Sequence, residues 1–242
     1  MRFLLCLLLF VTIGFSQTKP LIMKHADSLA AMKRSGYLLL KGYVHFVHDS
    51  VQFKTMRATW NRNADIVQCE GDFLFTHPNG FIKAKSGIYQ KRIEFASASG
   101  NVVVKDSLGE YAFFGERLQY DRIKKILTMP LRPVLHHYSK NKEKNGEIDT
   151  LSIKADWISY KQDDEFAEAF KNVVLEHNGM TVTCDTGYFN KKENWISMKG
   201  HPKCLLENHE LSGDSIFLRL TPDGKGLKSA LVIQNAHGIR SE

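Results

Sequence analysis

Cysteine is scarce in this chain, and long apolar runs are confined to its beginning. Four cysteines occur in 242 residues, and one of them, Cys6, lies inside the N-terminal apolar run. The other three, Cys69, Cys184 and Cys204, are odd in number and irregularly spaced, with no C-x-x-C pair. Neither a disulfide framework nor a zinc site is indicated. They read as small apolar core residues, with one disulfide left open. No stretch after residue 16 is apolar enough to span a bilayer as a helix. No phosphate-cradling glycine loop and no paired-carboxylate site stand out, so no enzyme, cofactor or metal is expected.

The chain opens Met1-Arg2, runs apolar from Phe3 to Phe15, and reaches the small residues Gly14 and Ser16 before Gln17. A basic start, a short apolar core and a small-residue exit describe a cleavable secretory leader over residues 1–16. The run is shorter than the about 20 residues of a membrane span; an uncleaved, membrane-retained leader is the alternative. Without it 226 residues remain (242 less 16), enough for one elongated domain or two short ones. Losing Arg2 takes the net charge from +7 to +6. That balance suits an anionic partner, and export argues against nucleic acid.

A repeat then dominates. Tyr89-Gln-Lys-Arg-Ile-Glu-Phe-Ala-Ser-Ala-Ser-Gly-Asn-Val-Val-Val104 returns 71 residues later as Tyr160 to Leu175. Glu165-Phe-Ala-Glu-Ala-Phe-Lys171 alone has helical propensity, but its counterpart Ile93–Ser99 does not, so both are expected to be strand. Gly42, Gly71 and Gly100 are 29 residues apart, and Leu131, Lys171 and Gly200 hold the same site in three further units. Trp60, Tyr89, Tyr120, Tyr160, Tyr188 and Phe217 form an aromatic row between these sites, read chiefly as core packing. Residues two and four positions from each site are apolar: Val67 and Cys69 before, Phe73 and Phe75 after, and likewise around the rest. Positions two apart share one face of a strand, so this row is the buried face. Six units of about 29 residues then predict an all-β protein whose stacked units share one interior. The register stretches once, at the polar segment 136–149, read as a solvated loop. That divides the chain into a first module at 17–135, a loop at 136–150 and a second module at 151–242, or leaves it one continuous domain.

Three features invite a chemical reading. Gly213-Asp-Ser-Ile216 resembles the serine block of lipase-like hydrolases, but it falls at a repeat position and only His237 follows at a distance. His45, His48 and Asp49 could face a metal, but are expected to be surface residues at a strand end. His136-His137 falls in the polar loop.

Gly42-Tyr-Val-His-Phe46, Gly100-Asn-Val-Val-Val104, Lys154-Ala-Asp-Trp-Ile-Ser-Tyr160, Gly200-His-Pro-Lys-Cys204, Ser212-Gly-Asp-Ser215 and the opening Ala26-Asp-Ser28 together resemble the LptA/OstA family over roughly residues 25–235. The resemblance implies repetitive antiparallel strands forming a twisted, open β-jellyroll, taco-shaped, in the periplasm and peripheral to both membranes. Its trough would hold the acyl chains of lipopolysaccharide on their way to the outer membrane. Neighbouring Lpt components or further copies would join by edge-to-edge strand pairing. The implied lining is Val44, Phe46, Phe73, Phe75, Val102, Val104, Val173 and Leu175. The alternative is a structural adaptor of the cell envelope, acting through its edges with no lipid in its core.

Overall fold

A computed structural model describes residues 19–32, 36–140, 148–207, 209–221 and 227–240; the expected leader lies outside them. The described chain is almost wholly strand, in one hydrogen-bonded sheet of 20 strands. β1 (Ile22–His25) and β2 (Ser28–Ala31) lead into six long strands: β3 (Tyr37–His48), β4 (Val51–Asn61), β5 (Ile66–His77), β6 (Gly80–Gln90), β7 (Phe95–Asp106) and β8 (Tyr111–Asp121). Four shorter ones follow: β9 (Ile126–Pro130), β10 (Val134–Lys140), β11 (Ile148–Lys154) and β12 (Trp157–Lys161). β13 (Phe166–His177) and β14 (Met180–Asn190) are long again. The chain then runs through β15 (Trp195–Lys199), β16 (Lys203–Leu206), β17 (His209–Ser212), β18 (Ser215–Leu220), β19 (Leu227–Ile233) and β20 (His237–Arg240). Every pairing is antiparallel, as expected. The segment with helical propensity, Glu165–Lys171, is strand: Phe166 to Phe170 pair with β12 on one side and β14 on the other.

The long strands are bent at the predicted sites. At each corner two consecutive residues lie in the left-handed region: Gly42-Tyr43, Gly71-Asp72, Gly100-Asn101, Leu131-Arg132, Lys171-Asn172, Gly200-His201 and Gln234-Asn235. That conformation costs a residue with a Cβ roughly 1–2 kcal/mol, which is why glycine leads four pairs and Asx residues close four. Between Glu70↔Ser86 and Phe73↔Ala84, Gly71 and Asp72 both face the single Lys85. This is a bulge, and it bends the strand. Ala-Asp, Cys-Asp and Gly-Asp steps brace the same corners from the neighbouring strand. The amides of Asp27, Asp156, Asp185 and Asp214 donate to the carbonyls of Gly42, Lys171, Gly200 and Gln234. The side chains of Asn172 and Asn235 donate to the carboxylates of Asp156 and Asp214. Gln234-Asn235 makes a seventh corner beyond the six anticipated. Led by glutamine rather than glycine, and followed by Ala236 and Gly238 in place of a bulky apolar pair, it escaped the repeat pattern.

The bends fold the sheet into two layers. Leu38 pairs with Trp60 and Phe46 with Phe53, so a straight strand would hold Phe46 and Trp60 roughly 26 Å apart at about 3.3 Å per residue. Their rings instead meet edge to face at 5.4 Å. One layer runs β2, the β2-side halves of β3 to β8, then β9, β12, β13, β14, β15, β18 and β19. The other runs β1, the remaining halves of β3 to β8, then β10, β11, β13, β14, β16, β17 and β20. The ladders β9–β12 and β11–β13 carry the sheet across the middle of the chain.

Three expectations change. His136 to Lys140 belong to β10, and Ile148 and Asp149 open β11, so segment 136–149 is not a loop at its ends; residues 141–147 lie outside the described ones. His136 packs on Phe114 at 5.3 Å and His137 stacks on Tyr111 at 4.7 Å. Tyr188 and Phe217 leave the inner row: Phe189 is the buried neighbour opposite Ala167, while Tyr188 stacks on Phe166 and Phe217 on Trp195 outside. His48 is not a surface residue. It is 3% exposed, accepts at Nδ1 from the Tyr89 hydroxyl at 2.5 Å, and donates Nε2–H to the Lys19 carbonyl.

Candidate functional site

The candidate site is the interior between the layers. It is apolar because alternate residues of every long strand point into it. Its first half is filled by aromatic side chains from both layers. Phe53 lies 5.0 Å from Phe46, 5.2 Å from Tyr89 and 6.5 Å from Phe75. Of the eight lining candidates, Val44, Phe46, Phe73, Phe75, Val102, Val173 and Leu175 are buried, none more than 4% exposed. Val44, Phe46, Phe73 and Phe75 sit in or beside this aromatic cluster. Val173 and Leu175 instead line the second half with Ala167, Ala169 and Gly187, smaller side chains that leave a narrow apolar void. Val104 differs from the rest: it is half-buried and lines an opening.

That opening is a cleft of about 320 Å³ between the layers, near mid-chain. Its floor is Phe75, Val104, Phe113, Tyr120, Leu127 and Tyr160. Its rim carries His77, Lys105, Asp106, Glu110, Glu165 and Lys191. Backbone hydrogen bonds join the layers at the bent edge. Across the mouth side, side chains join them. Arg122 donates to Asp49 at 2.7 Å while pairing with Glu94 at 3.0 Å, and Lys191 pairs with Glu110 at 3.0 Å. The cleft lies between these two ties.

Electrostatics fit a dry interior with a wet rim. Burial pushes the Tyr89 and Tyr160 hydroxyls up to about 12, and raises Tyr111 and Tyr120 as well. All four stay neutral. Burial likewise lowers His48, His77 and His137, which keeps them uncharged at neutral pH. Burial raises Cys69 and Cys184, which makes them poor nucleophiles. Lys19 first, then Arg122, hold Asp49 down at about 2. The serine-block residues serve the fold. Asp214 is occupied by Asn235, and His237 pairs with Ser212 across the corner from Ser215. Among the described residues no cluster of three His, Cys, Asp or Glu is set to hold a metal.

The sequence pointed to the floor through the aromatic row, Tyr120 and Tyr160 among it. It missed Tyr111, Glu110, Gln162 and Lys191, which sit at or beside the turns. Turn residues lie outside the periodic apolar row, so that signal could not reveal them.

No protein family matches the sequence, and no curated protein matches it. Among solved structures the chain is similar to LptH, the LptA-homologous periplasmic component of the lipopolysaccharide transport device of Pseudomonas aeruginosa. The two are 17% identical, with a TM-score of 0.42, over 55% of this chain and 94% of that one. No helix among the described residues is long and apolar enough to cross a membrane.

Proposed function

We propose that this protein is a periplasmic carrier that shields the acyl chains of lipopolysaccharide between its two layers on the way to the outer membrane. The observation that carries the reading is a continuous apolar interior whose layers share backbone bonds along one edge and open at a cleft on the other. Such a clamshell admits hydrocarbon sideways and leaves a sugar headgroup in water. Each methylene buried gains about 0.8 kcal/mol. The sequence resemblance to the LptA/OstA family supplies the lipid and the compartment; the likeness to LptH is too slight to carry either. The edges β1, β2, β19 and β20 offer unpaired backbone groups to other Lpt components or to a second copy.

One observation favours the structural adaptor. Val44, Phe46, Phe73 and Phe75 are shut away from solvent, so half of the interior is filled without a lipid. The deciding experiment places a photoreactive residue at Phe75 in cells of a lipopolysaccharide-bearing host, with one at exposed Asp72 as control. Lipopolysaccharide adducts at 75 and not at 72 are expected. A folded, exported protein with no adduct at 75 would leave the adaptor standing.

A further inference from the structure

We propose that the mid-chain cleft takes a single unbranched acyl chain, which runs from it toward the second half of the interior, with Tyr111 donating its hydroxyl to the ester or amide carbonyl. This rests on the carrier reading and says where in the chain the hydrocarbon lies.

Size comes first. An apolar cavity of ~150 Å³ takes up benzene. The about 320 Å³ cleft therefore has room for on the order of twelve carbon atoms on the same scale.

Direction follows from the packing on either side. Toward the N-terminus the way is blocked: Phe75 meets Tyr120 edge-on at 6.5 Å, and behind it the rings of Phe53, Phe46 and Tyr89 are each no more than 1% exposed. Toward the C-terminus the cleft passes Phe113 and Tyr160, 5.9 Å apart. Tyr160 pairs directly with Ala167, and Ala155, Ala169 and Gly187 lie beyond. Ala167, Ala169 and Gly187 lie side by side in one layer and face Leu135, Ile153 and Leu175 of the other across a void of about 20 Å³, which an entering chain would widen by displacing side chains rather than backbone.

The polar end is set by one group. Tyr111 lines the cleft, is 9% exposed, and carries a buried hydroxyl with no hydrogen-bond partner among the described residues. An unmet buried hydroxyl is unfavourable unless a ligand or water satisfies it, and a carbonyl oxygen of an acylated sugar would do so. The rim has lysines and carboxylates of both signs, so it holds a polar headgroup in water without selecting an anion. The occupant is recognised by its chain and carbonyl.

The test uses the full mature chain and the fluorescent acid 11-(dansylamino)undecanoic acid, titrated by its emission. Val104→Trp fills the cleft from its half-buried wall and is expected to weaken the probe at least tenfold. Tyr111→Phe keeps the shape, removes the hydroxyl and is expected to weaken purified lipid A, competed against the probe, by about three- to tenfold. Phe53→Leu, in the filled half, is expected to leave the probe within about twofold, as a site remote from the ligand does. Wild-type affinity in Val104→Trp, with a loss in Phe53→Leu instead, would overturn the placement and leave the carrier reading intact. Should Val104→Trp not fold, the Tyr111→Phe competition decides alone: unchanged lipid A affinity refutes the assignment. Displacement by dodecanoate and never by lipid A would make the cleft a fatty-acid site and sever it from the carrier reading. No probe binding to the wild type, together with no adduct at residue 75, would end both.

Discussion

Gly87 is where the closeness of the two layers can be measured. It lies opposite Cys69 and Ala98 on the inner face, and a Cβ there would stand 2.3, 2.5 and 2.6 Å from three ring atoms of Phe73. Carbon atoms prefer roughly 3.5–4.0 Å, so the ring must retreat by more than an ångström. Phe73 is 1% exposed and has nowhere to go. Overpacking of this kind costs about 1–3 kcal/mol, here near the upper end. Alanine restricts the unfolded chain and returns about 0.4–1 kcal/mol. The net loss for Gly87→Ala is therefore about 2 kcal/mol, or a melting temperature lower by ~4–8 °C for a chain of this size. Gly187 is the equivalent position in the second half, and there a Cβ would meet only Val173 Cγ1, at 3.4 Å. Gly187→Ala should be neutral or stabilising by about 0.5 kcal/mol through the unfolded state alone. Urea denaturation followed by tryptophan fluorescence reads both. Phe73→Leu in the Gly87→Ala background should recover about 1 kcal/mol or more of coupling. Equal losses at the two glycines, or strict additivity with Phe73→Leu, would refute the claim that the halves are packed differently.

Two further outcomes follow from the charged and titrating groups. His48, His77 and His137 are held below their ordinary value by burial, so the unfolded chain binds protons first as pH falls. Stability is fully present above about pH 6.5 and declines below it; melting temperature should fall between pH 7.5 and 5.5, less steeply in His48→Asn, and an unchanged slope would show that His48 is not buried neutral. In Arg122→Met, Asp49 loses one of the two cations that hold it at about 2, and a carbon-detected NMR titration should find it moved up toward the ordinary carboxylate range. A value still at about 2 would mean that the Arg122 tie across the mouth does not form.

Much of this architecture is written in the spacing. The 29-residue period marked the corners, and the alternation around them marked the inner face, because a bend and a buried row are both local consequences of backbone parity. The sequence was ambiguous where parity was. Tyr188 and Phe189 are adjacent aromatics, and counting to the nearest tyrosine picked the outward one. Segment 136–149 reads as polar because the hairpin of β10 and β11 sets His136 and Ser152 on its outer face, where composition carries no strand signal. The cleft was invisible for another reason. It is assembled by turns far apart in sequence, such as Glu110 and Lys191, and no local pattern specifies how two layers cross.

The ties across the mouth also give the stack a minimum length. Asp49, in the turn between β3 and β4, reaches Arg122 after β8. Glu110, between β7 and β8, reaches Lys191 after β14. Along the sheet each tie advances five strands, roughly 24 Å at about 4.8 Å per strand. A fragment that stops before β8 therefore keeps its corners but can fasten neither tie, and its layers meet without a clasp. Length, in this protein, is a condition of closure.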